Sequence, residues 1–128
     1  MGSDLSITRG DKRIIQSLLL ALEPVSNLGG LVPLRLVTAF LTVATNEGKG
    51  VCECARCLGI HRTITSRFIH ELTDRSRRGG PGLGLIRIDK GSGRPNWQEI
   101  VLTKKGRAVA RTMLRRLPSP QTEQTPVA

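Results

Sequence analysis

Residues 51–60 read VCECARCLGI and lead directly into HRTITSRFIHEL at residues 61–72. Two helices that meet at a tight turn need a small residue where they touch, and Ala55 supplies it. The turn itself needs a residue that accepts a positive φ, and Gly59 meets that need. Ile60 follows as the apolar residue that fixes the corner. The segment therefore predicts a helix-turn-helix.

The segment after the turn, residues 62–75, is predicted to be a helix with one buried and one outward face. Thr65, Ile69 and Leu72 recur at helical spacing and form the inward face. Because Thr65 is polar, Ile64 is an alternative inward residue. The outward side chains are short, polar or cationic, which suits hydrogen bonds to base edges and phosphates in a DNA major groove. They are Arg62, Thr63, Ser66 and Arg67.

Two further helices are predicted before this unit. The first starts at Asp11, has Thr8 or Asp11 as its cap, and ends at Pro24. Pro33 suits the first position of the second, which stops near Asn46. Apolar side chains recur at helical spacing in both helices. They are Ile14, Ile15, Leu18, Leu19 and Leu22 in the first, and Leu34, Val37, Thr38, Leu41 and Ala44 in the second.

Two strands and a last helix complete the pattern. Residues 83–89 alternate in polarity, and residues 97–102 form a second strand-like run after a turn rich in glycine. Thr103 is placed to cap a helix over Lys104–Arg116. The order of elements, with a basic segment between the strands, predicts a winged helix-turn-helix. The fold class is mainly α with a small antiparallel β wing.

The positive charge of the chain is concentrated in its C-terminal half. The chain has 128 residues and a formal net charge of +10, from 20 Lys and Arg against 10 Asp and Glu. Between Arg56 and Arg116 there are 15 basic and 4 acidic side chains, whereas the first 55 residues hold 5 of each. A small domain with such an excess usually binds a polyanion, either nucleic acid or an anionic membrane surface.

Composition argues against several classes of protein. One domain is expected at this length, and 38% apolar residues suffice for a packed core. No apolar run approaches the roughly 20 residues of a membrane span, and we expect no signal peptide. Aromatic residues make up 2%, which argues against binding single strands by stacking. Three cysteines, an odd number, argue against a disulfide framework.

Residues from about 31 to 114 resemble the MarR-type family of bacterial winged-helix transcription regulators. The segment VLTKKGRA at residues 101–108 is similar to that family's strand-to-helix junction, Leu-Thr-x-x-Gly-Arg. The resemblance implies a homodimer that binds pseudo-palindromic double-stranded DNA, usually as a repressor. It assigns the recognition helix to Arg62, Thr63, Ser66 and Arg67. It assigns Lys90 and Arg94 to the wing, which in the family reaches the adjacent minor groove.

The domain boundaries follow from the same pattern. We expect a flexible N-terminus at residues 1–10, a DNA-binding domain at 11–117 and a disordered tail at 118–128. The first and last helices would form the dimer interface. The family also has an effector pocket between its dimer helices and its DNA-binding lobe, but no residue of this sequence is identified as lining one. Basic loop residues that follow the recognition helix are expected to hold phosphates. They are Arg75, Arg77 and Arg78.

Three cysteines near the turn have more than one interpretation. Cys52, Cys54 and Cys57 stand close to His61 in the pattern Cys-x-Cys-x2-Cys-x3-His. This pattern is compatible with a metal site or with a thiol redox switch, for which Cys52, near a helix N-terminus, is the first candidate. A free cysteine also serves as a small apolar core residue, and Cys54 occupies an inward position. We favour this structural role and expect no metal.

An enzymatic function finds little support in the sequence. Residues 79–84 are rich in glycine, but they lack the Lys-Ser/Thr ending of a phosphate-binding loop and precede a strand rather than a helix. No Ser/His/Asp arrangement and no paired carboxylate motif is recognisable. We therefore expect no catalytic residues and no cofactor.

Three hypotheses about function remain. The first is a dimeric, sequence-specific regulator of transcription, a repressor in the bacterial cytoplasm. The second is a winged-helix DNA-binding assembly protein of plasmid or phage replication or partition, which would coat repeated sites. The third, a thiol-based redox-sensing regulator, refines the first. All three place the protein on double-stranded DNA, and a small-molecule effector stays unidentified.

Overall fold

The computed structural model describes residues 5–28, 32–74, 82–90 and 98–118, and these ranges contain five helices and two strands. The helices are α1 (Arg9–Ser26), α2 (Leu34–Thr45), α3 (Val51–Leu58), α4 (Arg62–Leu72) and α5 (Lys104–Arg116), and the strands are β1 (Ile86–Lys90) and β2 (Gln98–Leu102). The strands pair antiparallel, with Ile86 opposite Leu102 and Lys90 opposite Gln98. The predicted winged helix-turn-helix is confirmed.

The core lies where α2, α3, α4 and the two strands meet. Phe40 of α2 and Ile100 of β2 are completely buried, and Ile69 and Leu72 of α4 pack in the same cluster. Burying an apolar side chain of this size contributes about 1.5–3 kcal/mol to folding. The helix-turn-helix is therefore held against the wing by one continuous core.

The predicted inward stripe of α2 is wrong at two of its five positions, while Thr38 is half-buried and Ala44 packs partly against the core. Val37 is buried, but Leu34 and Leu41 are 72% and 38% exposed. The buried set is Leu36, Val37, Ala39, Phe40 and Val43. Apolar residues surround most of this helix, so periodicity alone could not choose between two rows of helical spacing. Pro33 is the N-cap residue and the helix begins one position later, at Leu34.

The helix α1 begins before the predicted start and continues past its predicted end. Thr8 accepts a hydrogen bond from Asp11 N (3.0 Å), and Asp11 Oδ2 accepts one from Thr8 N (2.9 Å), which completes a capping box. These bonds to Thr8 hold the pKa of the Asp11 carboxyl below its ordinary value. Residues 9 and 10 thus belong to the helix rather than to the expected flexible N-terminus.

The helix continues through Pro24 because another side chain replaces the donor that proline lacks. Without an N–H at Pro24, the Leu20 carbonyl has no partner one turn later. Arg116 Nη1 of α5 donates to Leu20 O at 2.8 Å and forms an ion pair with Glu23 Oε1 at 2.9 Å. The expectation that Pro24 ends the helix is wrong for this reason, and α1 is fixed to α5 at the same place.

The junction between β2 and α5 depends on a threonine and a glycine three residues apart. Thr103 Oγ1 accepts from Gly106 N at 3.0 Å and donates to Gly84 O at 2.7 Å, which confirms Thr103 as the cap. A Cβ atom at Gly106 would overlap the Leu85 carbonyl, so the position needs glycine. The predicted bounds of α5 are confirmed.

A carboxylate from the loop after α2 completes this junction. Glu47 Oε1 accepts hydrogen bonds from Leu102 N at 2.9 Å and from Arg107 Nη2 at 2.7 Å. The bond from Leu102, and then the charge and bond of Arg107, hold the pKa of the Glu47 carboxyl below its ordinary value, against the opposing effect of burial. Gly48 N also donates to Ile100 O at 2.9 Å, so the same loop pairs with β2.

The first strand begins later than its polarity pattern predicts. Residues 83–85 donate their backbone N–H groups to carbonyls at the end of α4, including Leu85 N to Leu72 O at 2.7 Å. A Cβ at Gly82 would overlap the Thr73 carbonyl, so glycine permits this close approach. The segment therefore closes the C-terminus of α4 before β1 starts at Ile86. Among the described residues, no helix could cross a membrane.

Candidate nucleic-acid interface

The turn between α3 and α4 has the geometry that the sequence predicts. Gly59 adopts φ 71° and ψ 25°, a left-handed conformation, and its N–H donates to Ala55 O at 2.8 Å. Ala55 is 7% exposed. The next helix is capped by His61, whose Nδ1 accepts from Thr63 N at 3.1 Å. These contacts fix the direction in which α4 leaves the turn.

The inward face of α4 is confirmed, including its polar member. Thr65 is 0% exposed, and its hydroxyl donates to His61 O at 3.1 Å, so no buried polar atom is left without a partner there. Ile69 and Leu72 are each 1% exposed. The alternative of Ile64 pointing inward is wrong, because this side chain is 46% exposed.

The outward face of α4 presents most of the predicted recognition residues to solvent. Arg62, Thr63 and Arg67 are exposed, and Ser66 is half-buried. Neither arginine forms an ion pair within the described part of the chain. The Ser66 carbonyl lies 2.8 Å from His70 Nδ1, a hydrogen bond within the helix. An exposed cationic face without acidic partners is a suitable surface for phosphates and guanine edges.

Ile64 is a member of this face that the sequence did not identify. Its exposure follows from the position of Thr65, because adjacent residues on a helix point about 100° apart. Once the Thr65 hydroxyl is satisfied inside the helix, Thr65 occupies the core and Ile64 is turned outward. The exposure of Ile64 could have been predicted, since Thr65, Ile69 and Leu72 already define an inward row. The polarity of Thr65 made the choice between Thr65 and Ile64 ambiguous.

The remaining predicted contacts fall at the edge of the described residues or outside them. Lys90 ends β1 and pairs with Gln98 through the backbone. The loop residues and the wing-tip arginine lie outside the described residues, so their roles stay predictions. They are Arg75, Arg77, Arg78 and Arg94.

The three cysteines have different environments. Cys54 is 1% exposed, and burial, followed by the nearby Cys57 and Glu53, raises the pKa of its thiol. Its core role is confirmed. Cys52 and Cys57 are exposed, so the core interpretation is wrong for these two. Within the described ranges, no group of three or more His, Cys, Asp and Glu side chains is placed to hold a metal ion.

A groove of about 420 Å³ lies between α2 and the end of α3, and the sequence did not indicate it. The Cys57 thiol lies in this groove, 3.8 Å from Asn46 Oδ1. Leucine side chains, one arginine and two threonines form the rest of its wall, so it is partly apolar. The lining residues are Leu34, Arg35, Thr38, Thr42, Cys57 and Leu58.

A helix-turn-helix followed by an antiparallel wing and a closing helix defines the winged helix-turn-helix class, whose members bind nucleic acid through the second helix of the turn. Solved structures with this architecture include RV1404 from Mycobacterium tuberculosis, which is 14% identical with a TM-score of 0.62 over 91% of this chain and 77% of that chain. Neither a family model nor a curated protein matches the chain in sequence.

Two further solved structures share this fold, and one of them is described as MarR-like. A MarR-like transcriptional regulator from Thermotoga maritima is 21% identical, with a TM-score of 0.55 over 90% of this chain and 76% of its own. The transcriptional repressor CouR, solved with a 23-mer DNA duplex, is 20% identical. Its TM-score is 0.56, over 95% of this chain and 84% of its own. The chain therefore has the fold of MarR-type regulators.

Proposed function

We propose that the protein is a sequence-specific, double-stranded DNA-binding regulator of transcription, a dimeric repressor of the MarR family in the bacterial cytoplasm. The observation that carries this proposal is the outward face of α4, held rigidly by the turn at Gly59 and by the His61 cap. This face is cationic, exposed and without acidic partners among the described residues. Similarity to CouR, whose structure contains a DNA duplex, supports the proposal. We assign no catalytic residue.

In this proposal α4 enters the major groove. Arg62 and Arg67 reach guanine edges or phosphates, and Thr63 and Ser66 donate to bases or phosphates. Ile64 contacts the methyl group of a thymine, which is the apolar feature of the major groove. The phosphate backbone and the adjacent minor groove are held by the loop and the wing. The residues assigned to them are Arg75, Arg77, Arg78, Lys90 and Arg94.

The dimer is proposed from an apolar row on α1 that the domain covers in part. Ile14, Leu18, Ala21 and Val25 follow one another at spacings of three and four residues, so they share one side of the helix. Ala21 and Val25 are 1% and 3% exposed, whereas Ile14 and Leu18 are 59% and 51% exposed. The N-terminal half of α1 therefore extends its apolar side beyond the core of its own domain.

Other exposed apolar side chains belong to the same pair of helices. They are Ile15, Leu19 and Leu20 on α1, with Leu114 and Leu117 on α5. Exposed apolar surface of this extent is typical of an interface, and a two-fold symmetric dimer would bury it. We therefore assign these surfaces of α1 and α5 to the dimer interface.

Selection of bound DNA from a random pool, followed by footprinting, tests the proposed function. A dimeric regulator should select one inverted repeat with half-sites about 10–10.5 base pairs apart, or a multiple of that spacing. Protection of a long series of repeated sites would support the assembly protein instead. A pool without enrichment would contradict sequence-specific binding.

A thiol-sensing refinement is supported by one observation, the exposure of Cys52 and Cys57 on the first helix of the helix-turn-helix. Mild peroxide followed by a thiol reductant tests it. The sensor would be established if peroxide abolished operator binding and the reductant restored it. A Cys57→Ser variant should then keep its operator binding in peroxide. Unchanged binding would leave the exposed cysteines without a regulatory role.

A further inference from the structure

The helix α5 carries more positive charge than the proposed function uses. Its 13 residues include six cations and no acidic side chain. Two of the cations have acidic partners, Arg107 with Glu47 and Arg116 with Glu23. Among the described residues, the remaining four form no ion pair. They are Lys104, Lys105, Arg111 and Arg115.

Three of these four cations form one row, which we name the α5 stripe: Lys104, Arg111 and Arg115. At 3.6 residues per turn, the three lie within about 20° of a single line along the helix, and the row is about 16 Å long. All three side chains are exposed. Met113 and Gly106, which are buried, lie on the opposite side of the helix. The stripe is therefore the surface of α5 that points directly away from the core.

The stripe is not explained by helix stability. Lys104 stands at the N-terminus of α5, where a positive charge opposes the helix dipole. Arg111 and Arg115 are four residues apart, a spacing at which like charges repel. A bound polyanion removes both unfavourable effects, because phosphates neutralise the cations and guanidinium groups bind phosphate oxygens in pairs.

The stripe also lies apart from the surfaces already assigned. The helix α5 packs on α1 and β2, whereas α4 packs on α2, α3 and β1. The stripe starts directly after β2, and Arg116, next to its last member, contacts Leu20 and Glu23 of α1. Leu114 and Leu117, which we assign to the dimer interface, project from other sides of α5.

We propose that the α5 stripe binds the phosphate backbone of a second duplex segment, one that α4 does not hold. The row contains no apolar side chain larger than Ala108, so it lacks the apolar face with which a helix enters a lipid surface. Nucleic acid is the polyanion that fits a row of cations without a large apolar side chain. The proposal rests on the proposed function, since it adds a second DNA surface to the one on α4.

The test compares two variants that each lose two arginines four residues apart on an exposed helix surface. The stripe variant carries Arg111→Gln and Arg115→Gln. The matched control carries Arg9→Gln and Arg13→Gln on α1, which removes the same charge at the same spacing. Light scattering first verifies that both variants have the oligomeric state of the parent chain.

Two measurements separate the stripe from the recognition helix. The first is the salt dependence of binding to a long random duplex, where each phosphate contact contributes about 0.9 to the slope of log K against log salt. We expect the stripe variant to lose about two units of slope and the control to lose none. The second is energy transfer between two differently labelled duplexes, which the parent and the control should bring together and the stripe variant should not. Affinity for a short operator duplex should change less than twofold in both variants.

Several results would overturn the proposal. Equal salt slopes for the stripe variant and the control would show that the stripe holds no phosphate. An equal loss on the short operator duplex would place the stripe on the DNA that α4 binds. Stripe-dependent binding to vesicles of phosphatidylglycerol and phosphatidylcholine, without a change in duplex slope, would assign it to lipid. The random-duplex measurement needs no operator, so it still decides the matter if the proposed sequence specificity fails.

Discussion

At the scale of single residues, Ile64 is an apolar side chain exposed on a helix whose other exposed positions are mostly polar or cationic. If it contacts a thymine methyl group, an Ile64→Ala substitution should weaken operator binding about fivefold, or about 1 kcal/mol. Replacing each operator thymine in turn by deoxyuridine, which lacks the methyl group, locates the contact. One such replacement should weaken operator binding by the parent and leave operator binding by the Ile64→Ala variant unchanged.

The control for this experiment is Thr63→Ala, which should keep the parent's sensitivity to deoxyuridine. If Ile64→Ala and the parent respond equally to every replacement, the side chain does not read a thymine. In that case, the other residues on the outward face of α4 would determine how this helix lies on DNA.

Glu47 should make the stability of the fold depend on pH. Its folded-state pKa is lowered, so the stabilisation is fully present above the ordinary pKa of the carboxyl and is lost as the pH falls through the lowered value. Glu47→Gln should therefore lower the free energy of unfolding by about 1 kcal/mol at neutral pH. The difference from the parent should vanish in acid.

Chemical denaturation at a series of pH values measures this effect. Glu53→Gln is the matched control, because Glu53 forms an exposed ion pair with Arg56 at 3.1 Å, three residues away on the same helix. We expect a much smaller change in the control at any pH. An effect of Glu47→Gln that is equal at neutral and acidic pH would argue against the role of its charge.

At the scale of elements, the start of α5 depends on a close approach between two backbones. Gly106→Ala places a Cβ against the Leu85 carbonyl and should destabilise the fold by about 1–3 kcal/mol or more. Gly10→Ala in α1 meets no atom closer than Thr8 Oγ1 at 3.8 Å, and it should stabilise the helix by about 0.5–1 kcal/mol. Urea unfolding of the two variants should give changes of opposite sign, and equal changes would contradict this account of the junction.

The elements that sequence predicted best are those with a local chemical signal at each end. Thr103 caps α5 by a bond to a residue three positions away, so its bounds follow from the sequence alone. The same holds for the left-handed turn at Gly59. The end of α1 could not be predicted, because the donor that satisfies Leu20 comes from Arg116, far along the chain. Long-range partners also decide where β1 starts, since residues 83–85 pair with the end of α4 instead.

The candidate site was predictable in part for the same reason. The inward and outward rows of α4 follow from helical spacing, which placed Arg62, Thr63 and Arg67 on the exposed side. The choice between Ile64 and Thr65 required knowledge of a hydroxyl that is satisfied within the helix. The groove beside Cys57 depends on how α2 and α3 pack, which no local pattern records.

At the scale of the whole molecule, the exposed N-terminal part of the apolar row of α1, Ile14 and Leu18, predicts a dimer. Leu18→Glu should convert it to a monomer, because two-fold symmetry places the new charge in the interface twice. The matched control is Ile64→Glu, which puts the same charge on an exposed apolar residue of α4 and should leave the dimer intact. Light scattering at micromolar concentration measures both. A parent chain that is monomeric with and without DNA would contradict the proposed assembly.

The central claim is that α4 reads sequence while the basic loop holds phosphates, and a salt titration of variants on operator and random duplexes tests it most directly. Arg67→Ala should weaken operator binding far more than random binding, because an arginine paired with guanine contributes about 1–3 kcal/mol of discrimination. Replacing Arg77 and Arg78 by alanine should weaken binding to both duplexes equally. It should also reduce the slope of log K against log salt by about 1–2 units. Arg94→Ala should cost most on sites flanked by A·T pairs. If the loop changes proved selective for the operator and Arg67→Ala did not, α4 would not be the recognition helix.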